Sequence, residues 1–187
     1  MSFIESVSLL SLFEYGFQII PYDYDLTHHI NNMMFEVDRV ETDIEVAMMT
    51  PQEHEYCISV FHPIINEFAP IFGTNPKLNI HISRKCHYKS KVFHTDYYDR
   101  LSDFFILFYP IEWDPDNGGG LQIGKRDLLL SKVEVLQTIN PSLYNVVIIN
   151  NMNPLFVHQV LPTLVSDETR YLGCLEITRG VFNGSDY

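Results

Sequence analysis

The sequence predicts a mostly β protein with helices in its N-terminal part, built as a sandwich or barrel of strands that the helices buttress. Three observations support this fold class. From residue 77 onward, short apolar runs of strand length recur between turn residues. In the N-terminal third, apolar residues recur at helical spacing instead. Residues 104–109 are apolar throughout, as expected of a strand that is buried on both faces.

Composition limits the possible functions. With 187 residues, 46% of them hydrophobic, the chain can form one domain with a substantial core. Its net charge of −12 argues against binding nucleic acid non-specifically or binding an anionic membrane, because both need clustered Lys and Arg. Three widely spaced cysteines predict reduced thiols in a cytoplasmic protein. No basic signal-peptide region and no apolar run near the ~18 residues of a membrane span is visible.

Residues 1–76 are predicted to form a helical support region. A short helix is expected over residues 3–13, and the apolar run at residues 17–20 suits a strand. A longer helix is predicted from near His28 to Met48, because apolar residues recur there at intervals of three and four. The methionines of that stripe are expected to pack in the core.

A further helix should begin at Pro51. The stretch Thr50-Pro51-Gln52-Glu53 has the form of a capping box with proline at the first helical position. Pro63 should end or kink this helix, because proline lacks the backbone N–H that the helix interior needs.

Residues 77–180 are predicted to form the β core, and residues 181–187 a tail. The Gly118-Gly119-Gly120 run is expected in a hairpin turn, since it lacks the Lys-Ser/Thr of a phosphate-binding loop. Roughly eight strands are expected in this part, and seven of their patterns lie at residues 78–82, 104–109, 121–123, 128–139, 145–149, 155–160 and 170–177.

Three residues of the β core could bind a metal ion together. His94-Thr95-Asp96 can direct an imidazole and a carboxylate to one point at the rim of a sheet. His158 could add the third ligand of a facial 2-His-1-carboxylate site, which suits non-haem Fe(II). Each signal is weak alone: His-x-Asp arises by chance in an acidic chain, and a lone histidine among apolar residues is more often a core residue.

Arg170 lies on a predicted strand that runs into apolar sequence. A buried guanidinium needs an anionic partner, and its planar fork fits a carboxylate with two hydrogen bonds. That partner could be a ligand, or it could be one of the 24 acidic side chains in a structural ion pair.

Residues 77–180 resemble the 2-oxoglutarate/Fe(II)-dependent dioxygenases, and among them the prolyl-hydroxylase-like branch. The resemblance rests on the order and spacing of six elements rather than on any one of them. They are His94-Thr95-Asp96, Tyr109, Trp113, Gly118-Gly119-Gly120-Leu121, His158-Gln159-Val160 with Pro162, and Arg170.

The resemblance implies a double-stranded β-helix, or jelly roll, with the metal at its open end. It implies that His94, Asp96 and His158 bind Fe(II), and that Arg170 holds the distal carboxylate of 2-oxoglutarate with help from Tyr109. Three protein ligands would leave two positions for the 2-oxo acid and one for O2. The implied reaction is hydroxylation of a substrate, coupled to conversion of 2-oxoglutarate to succinate and CO2.

The substrate side departs from the family pattern. The tyrosine that the family often has about ten residues before the first ligand is absent, although Tyr88 lies nearby, and Glu176 stands where a tryptophan is often found after the arginine. Tyr88, Tyr98 and Trp113 could line a substrate pocket, although most aromatic residues must be core. A prolyl or other protein side chain is the expected substrate, and a small free molecule such as an amino acid is nearly as plausible.

Two other classes of protein also remain possible. One is a non-catalytic jelly-roll binding protein that retains these residues without turnover. The other is a metal-binding barrel of the cupin type, which has no need of a co-substrate anchor such as Tyr109 with Arg170.

Overall fold

The computed structural model of the protein describes residues 7–22, 37–41, 44–47, 50–69, 76–85, 92–96, 102–165 and 170–178. Several predictions lie wholly or partly outside these residues. Among them are the first residues of the short helix predicted over residues 3–13, the start of the helix near His28, the tail at residues 181–187, and the pocket positions Tyr88 and Tyr98.

Two α-helices, a short 3-10 helix (Pro115–Asn117) and ten strands make up the described structure. Helix α1 spans Leu9–Tyr15 and helix α2 spans Pro51–Asn66. The strands are β1 (Phe17–Pro21), β2 (Val37–Glu41), β3 (Ile44–Ala47), β4 (Lys77–Lys85), β5 (Phe104–Phe108), β6 (Leu121–Asp127), β7 (Lys132–Ile139), β8 (Asn145–Asn150), β9 (Phe156–Val160) and β10 (Arg170–Thr178).

The strands form two antiparallel sheets. The larger sheet has seven strands in the order β1-β8-β5-β10-β4-β3-β2, and the smaller sheet has three in the order β7-β6-β9. The chain passes between the sheets after β5, after β7, after β8 and after β9. Two facing sheets joined in this way are the double-stranded β-helix that the family resemblance implies, with helices against one face.

An inter-sheet cluster of apolar side chains joins the two sheets. Alternate residues of β5, Phe105 and Leu107, point into it because successive side chains of a strand project to opposite faces. Its other buried members are Leu121, Ile123, Ile139, Val147, Ile149, Val160 and Cys174.

A second apolar cluster lies between the larger sheet and the helices. The remaining β5 residues, Phe104, Ile106 and Phe108, project into it. Helix α2 contributes buried residues that include Cys57, Phe61, Ile64 and Ile65. All five residues of β5 are therefore buried, which confirms the predicted two-sided strand.

Helix α2 begins as its sequence predicts. Thr50 Oγ1 accepts a hydrogen bond from the Glu53 N–H at 3.3 Å, and the Glu53 carboxylate accepts one from the Thr50 N–H at 2.7 Å. The helix continues past Pro63 to Asn66, so proline does not end it at that point. Among the described residues, neither helix is long and apolar enough to cross a membrane.

The helix predicted between His28 and Met48 is wrong where the structure describes that segment. Val37–Glu41 and Ile44–Ala47 are instead strands β2 and β3, and β3 pairs with β4 at the side of the larger sheet. Val and Ile favour strands. Backbone pairing with β4 outweighs the helical spacing of the apolar residues in this segment. Three of the ten described strands thus precede residue 77.

We expect the buried Cys57 thiol to make stability fall at alkaline pH. Burial, with the nearby Glu53 carboxylate as the smaller cause, raises the pKa of Cys57 from 9.0 to about 11. The unfolded thiol therefore loses its proton at lower pH than the folded one. The contribution of Cys57 to stability is complete below pH 9 and is lost as the pH rises towards about 11.

Urea unfolding between pH 8 and pH 11 measures this effect. The free energy of unfolding should decline less steeply with pH in Cys57→Ala than in the wild type. Ile58→Ala, a neighbour in the same cluster without a titrating group, should lower the whole curve and leave its slope unchanged. Equal slopes in Cys57→Ala and the wild type would contradict the pKa assignment.

Candidate metal centre

The segment that carries His94 and Asp96 is attached directly to strand β9. His94 and His158 form an isolated antiparallel bridge, in which each backbone N–H donates to the other residue's carbonyl at 3.0 and 2.9 Å. Paired residues of this kind stand side by side. The bridge therefore brings together two histidines that are distant in the sequence.

His158 points into the space between the sheets. Its register partner on β6 is Ile123, and Val160 follows two residues later on the same strand. Both of these residues belong to the inter-sheet cluster, so the alternation of β9 places His158 on the same face. His158 is half-buried there.

The three predicted ligands are close together. One ligand atom from each of His94, Asp96 and His158 lies within 4.8 Å of the other two. Nε2 of His158 lies 3.6 Å from Oδ2 of Asp96, and the two imidazole ring centroids are 4.5 Å apart. Small side-chain rotations would bring these atoms onto one ion.

A backbone contact orients the ring of His94. Its Nδ1 lies 3.0 Å from the carbonyl oxygen of Val92. A carbonyl can only accept, so Nδ1 carries the proton and Nε2 keeps its lone pair for a metal. Such a bond to the second ring nitrogen is the usual support of a ligating histidine. The donor set of two imidazoles and one carboxylate, half-buried and reachable from solution, fits Fe(II) with open positions.

Arg170 is a buried cation. Its side chain is 4% exposed, Nη2 donates to the Tyr109 hydroxyl at 3.4 Å, and the guanidinium carbon lies 5.2 Å from the centroid of the Tyr109 ring. Nε is buried without a hydrogen-bond partner, and within the described ranges no carboxylate forms an ion pair with it. A structural ion pair is thus not seen there, and the site fits the carboxylate of a ligand.

Gly119 leaves the room that Arg170 occupies. Gly119 has φ +71°, and a Cβ built on it would lie 2.9 Å from Cδ and 3.2 Å from Nε of Arg170. Its N–H donates to the Pro162 carbonyl at 3.0 Å, which holds the glycine run against the segment after β9. The predicted hairpin turn is therefore wrong, because this run belongs to the connection between β5 and β6, which lie in different sheets.

Trp113 supports the same connection. Its ring is 6% exposed, and Nε1 donates to the Gly118 carbonyl at 2.9 Å. It lines a cavity of about 410 Å³ together with Glu112 and residues 138–145, and none of the three predicted metal ligands lines that cavity. Its role as a substrate contact stays a prediction.

A second group of ligand-type side chains was missed by sequence analysis. His81, Cys174 and Glu176 place one possible ligand atom each within 4.8 Å of the others. They come from strands β4 and β10, whose register is a tertiary property. The one sequence signal was Glu176, a carboxylate between the apolar residues Leu175 and Ile177.

Solved structures of similar fold include several oxygenases. A prolyl-4-hydroxylase of Pseudomonas putida is 14% identical, with a TM-score of 0.69 over 92% of this chain and 97% of that chain. A Trichoplax adhaerens prolyl hydroxylase, in complex with a peptide fragment of hypoxia inducible factor, is 17% identical, with a TM-score of 0.68 over 90% and 86%. HygX of Streptomyces hygroscopicus, with nickel and 2-oxoglutarate bound, is 10% identical, with a TM-score of 0.61 over 95% and 89%.

No family model matches the sequence, and no curated protein matches it either. At identities of 10–17%, the likeness to solved structures shows the fold. The chain has the double-stranded β-helix of the 2-oxoglutarate/Fe(II) oxygenases, prolyl hydroxylases among them, which confirms the predicted fold class.

We expect Asp96→Ala to weaken the binding of Fe(II) to the triad at least about 100-fold, because it removes the anionic member of the donor set. Asp96 is half-buried, so the unfolding midpoint should move by no more than about 3 °C. Anaerobic titration with Fe(II) measures the affinity. Asp116→Ala, which removes an exposed carboxylate elsewhere, is the matched control and should bind as the wild type does. An unchanged affinity for Fe(II) in Asp96→Ala would show that His94, Asp96 and His158 do not form a metal site.

Gly119→Ala should lower the free energy of unfolding by about 1–3 kcal/mol, since the new methyl group meets Arg170 in a left-handed backbone conformation. Gly120→Ala is the matched control. A Cβ there meets only ordinary contacts of 3.4–3.7 Å, and the loss should be about 0.5 kcal/mol or less. Urea unfolding of both variants measures the difference. Equal losses would mean that Gly119 does not shape the Arg170 site.

Proposed function

We propose that the protein is an Fe(II)- and 2-oxoglutarate-dependent dioxygenase that hydroxylates an unactivated C–H bond. One observation carries this proposal: the His94, Asp96 and His158 group occurs on the same fold as a buried arginine whose Nε has no partner. A metal triad alone would suit several ions. The buried guanidinium adds the requirement that the ligand carry an anionic group, and the second carboxylate of a 2-oxo dicarboxylate meets this requirement.

In this proposal His94, Asp96 and His158 hold Fe(II), and Arg170 with the Tyr109 hydroxyl holds the distal carboxylate of 2-oxoglutarate. Iron and 2-oxoglutarate, when bound, supply the oxidation, with succinate and CO2 as by-products. The chain supplies position and charge. Asp96 offsets part of the metal charge, Val92 holds the His94 tautomer, and Arg170 compensates the co-substrate anion.

The interior of the β-helix would shield the reaction from water. The inter-sheet cluster contains nine buried apolar residues, and His158 projects from the same face as two of them. A dry interior strengthens the electrostatic contacts of Arg170 and protects reactive species from side reactions.

We consider two substrate classes, of which the structural neighbours support the first. The Pseudomonas and Trichoplax proteins are prolyl hydroxylases, and the latter was solved with a peptide. A prolyl or other protein side chain is therefore our first candidate for this chain. A small free molecule, such as an amino acid, is the second. Cytoplasmic location, and the lack of nucleic-acid and membrane partners, stay predictions from composition.

The Arg170 site also separates this proposal from one of its two rivals. A cupin-type metal barrel has no need of a buried cation without an anionic protein partner. A non-catalytic jelly-roll protein could bind the same ligands, and only turnover distinguishes it from an enzyme.

We expect 2-oxoglutarate to bind the Fe(II)-loaded protein under anaerobic conditions, and Arg170→Ala to weaken this binding at least about 30-fold, or ~2 kcal/mol, because a buried charge pair is lost. Isothermal titration calorimetry measures both affinities. Arg126→Ala on β6 is the matched control and should leave the affinity unchanged. Absence of binding in folded, metal-loaded protein would reject the proposed function.

Turnover is then tested by admitting O2 and measuring succinate. Release of succinate that rises with prolyl peptides supports the first substrate class, and a rise with free amino acids supports the second. Tight binding of 2-oxoglutarate without succinate under any of these conditions would favour the non-catalytic binding protein.

A further inference from the structure

The group of His81, Cys174 and Glu176 is built by neighbouring strands. Cys174 on β10 stands directly opposite His81 on β4, and Glu176 lies two residues further along β10. Side chains two apart on a strand share a face, and directly opposed residues have Cβ atoms about 4.5–5.5 Å apart. The pairing register alone therefore brings the three side chains together.

This group faces the space between the two sheets. Cys174 belongs to the inter-sheet cluster, while its neighbours Leu175 and Ile177 belong to the cluster beneath the helices. The alternation of β10 then places Glu176 on the side of Cys174. The group opens into the same inter-sheet space as His158 but shares no residue with the His94, Asp96 and His158 triad.

The three donors differ in chemistry from the triad. They are an imidazole nitrogen, a thiol sulfur and a carboxylate oxygen, all within 4.8 Å of one another. Ligand atoms on one tetrahedral zinc ion lie about 3.4–3.6 Å apart, given zinc–ligand bonds of about 2.0–2.3 Å. Modest rotations of the side chains would shorten the distances between the ligand atoms from at most 4.8 Å to this range. Sulfur favours zinc over harder cations such as Mg²⁺ or Ca²⁺.

Neighbouring polar groups hold the carboxylate in place. Oε2 of Glu176 accepts hydrogen bonds from the Ser102 hydroxyl at 3.1 Å and from the Asn79 amide at 3.4 Å. Ligating carboxylates in metal sites are usually supported by such bonds. Cys174 is 5% exposed, whereas His81 and Glu176 are half-buried, so an ion can reach the group from solution.

We propose that His81, Cys174 and Glu176 form a second metal site, specific for Zn²⁺ and separate from the triad. Cys174 binds as the thiolate and releases its proton to solvent when the metal enters. Three protein ligands leave the fourth tetrahedral position open to water or another small ligand. The inter-sheet space then holds two metal positions, one with nitrogen and oxygen donors and one that includes sulfur.

Cobalt(II) tests this proposal because it replaces zinc and gives a thiolate-to-metal charge-transfer band in the near ultraviolet. The triad contains no sulfur, so this band reports the second site alone, whether or not the chain is a dioxygenase. The metal-free, fully reduced protein is titrated anaerobically with Co²⁺, and the band is recorded in the wild type and in three single variants. The chain has three cysteines, and each is replaced in turn: Cys57→Ser, Cys86→Ser and Cys174→Ser.

We expect the band in the wild type, in Cys57→Ser and in Cys86→Ser, and its loss in Cys174→Ser. Asp96→Ala should keep the band, since it affects only the triad. Glu176→Gln should weaken the Co²⁺ binding that this band reports at least about 100-fold, and Ser102→Ala about 10-fold or more. These two variants keep the test decisive if Cys174→Ser fails to fold. No band at saturating Co²⁺, a band that survives Cys174→Ser, or unchanged affinity in Glu176→Gln would each overturn the second site.

Discussion

The packing of the two sheets through one apolar interior is the constraint on which the rest of this structure depends. Phe105 and Leu107 of the larger sheet meet Ile123 and Val160 of the smaller one within the inter-sheet cluster. Because each strand alternates between two faces, this packing also decides which polar side chains enter the interior. His158 enters beside Ile123 and Val160. A slip of one residue in β9 would turn it to the opposite face.

Polar groups that enter such an interior must find partners there, and this requirement links the fold to the proposed chemistry. Arg170 lies deep in the protein against Tyr109, with Nε left without a hydrogen bond. Leaving a buried donor unsatisfied costs about 1–3 kcal/mol, and more for a charged group. A bound carboxylate removes that cost. In the proposed function, the stability given up at this position is recovered as affinity for the co-substrate carboxylate.

Agreement between sequence and structure is best where neighbouring residues decide the outcome. The capping box of Thr50 and Glu53 begins α2 because all its atoms lie within one turn. Strand β5 follows its own apolar run. The helix predicted around β2 and β3 was wrong because the apolar residues there are spaced as in a helix. Pairing of β3 with β4, which is distant in the chain, stabilises strands instead. The predicted hairpin at Gly118 was wrong for a similar reason, since β6 pairs with β7 and β9 and not with β5.

The sequence by itself determined the fold class, the three triad residues as candidates and Arg170 as a cation in need of an anion. Residue type, order and local pattern carry that information. Only the tertiary structure decided that His94 is bridged to His158, that Gly119 leaves room for Arg170, and that His81 lies opposite Cys174. Each of these depends on strand register and on the packing of one sheet over another. Those are properties of residues far apart in the chain, so no local pattern encodes them.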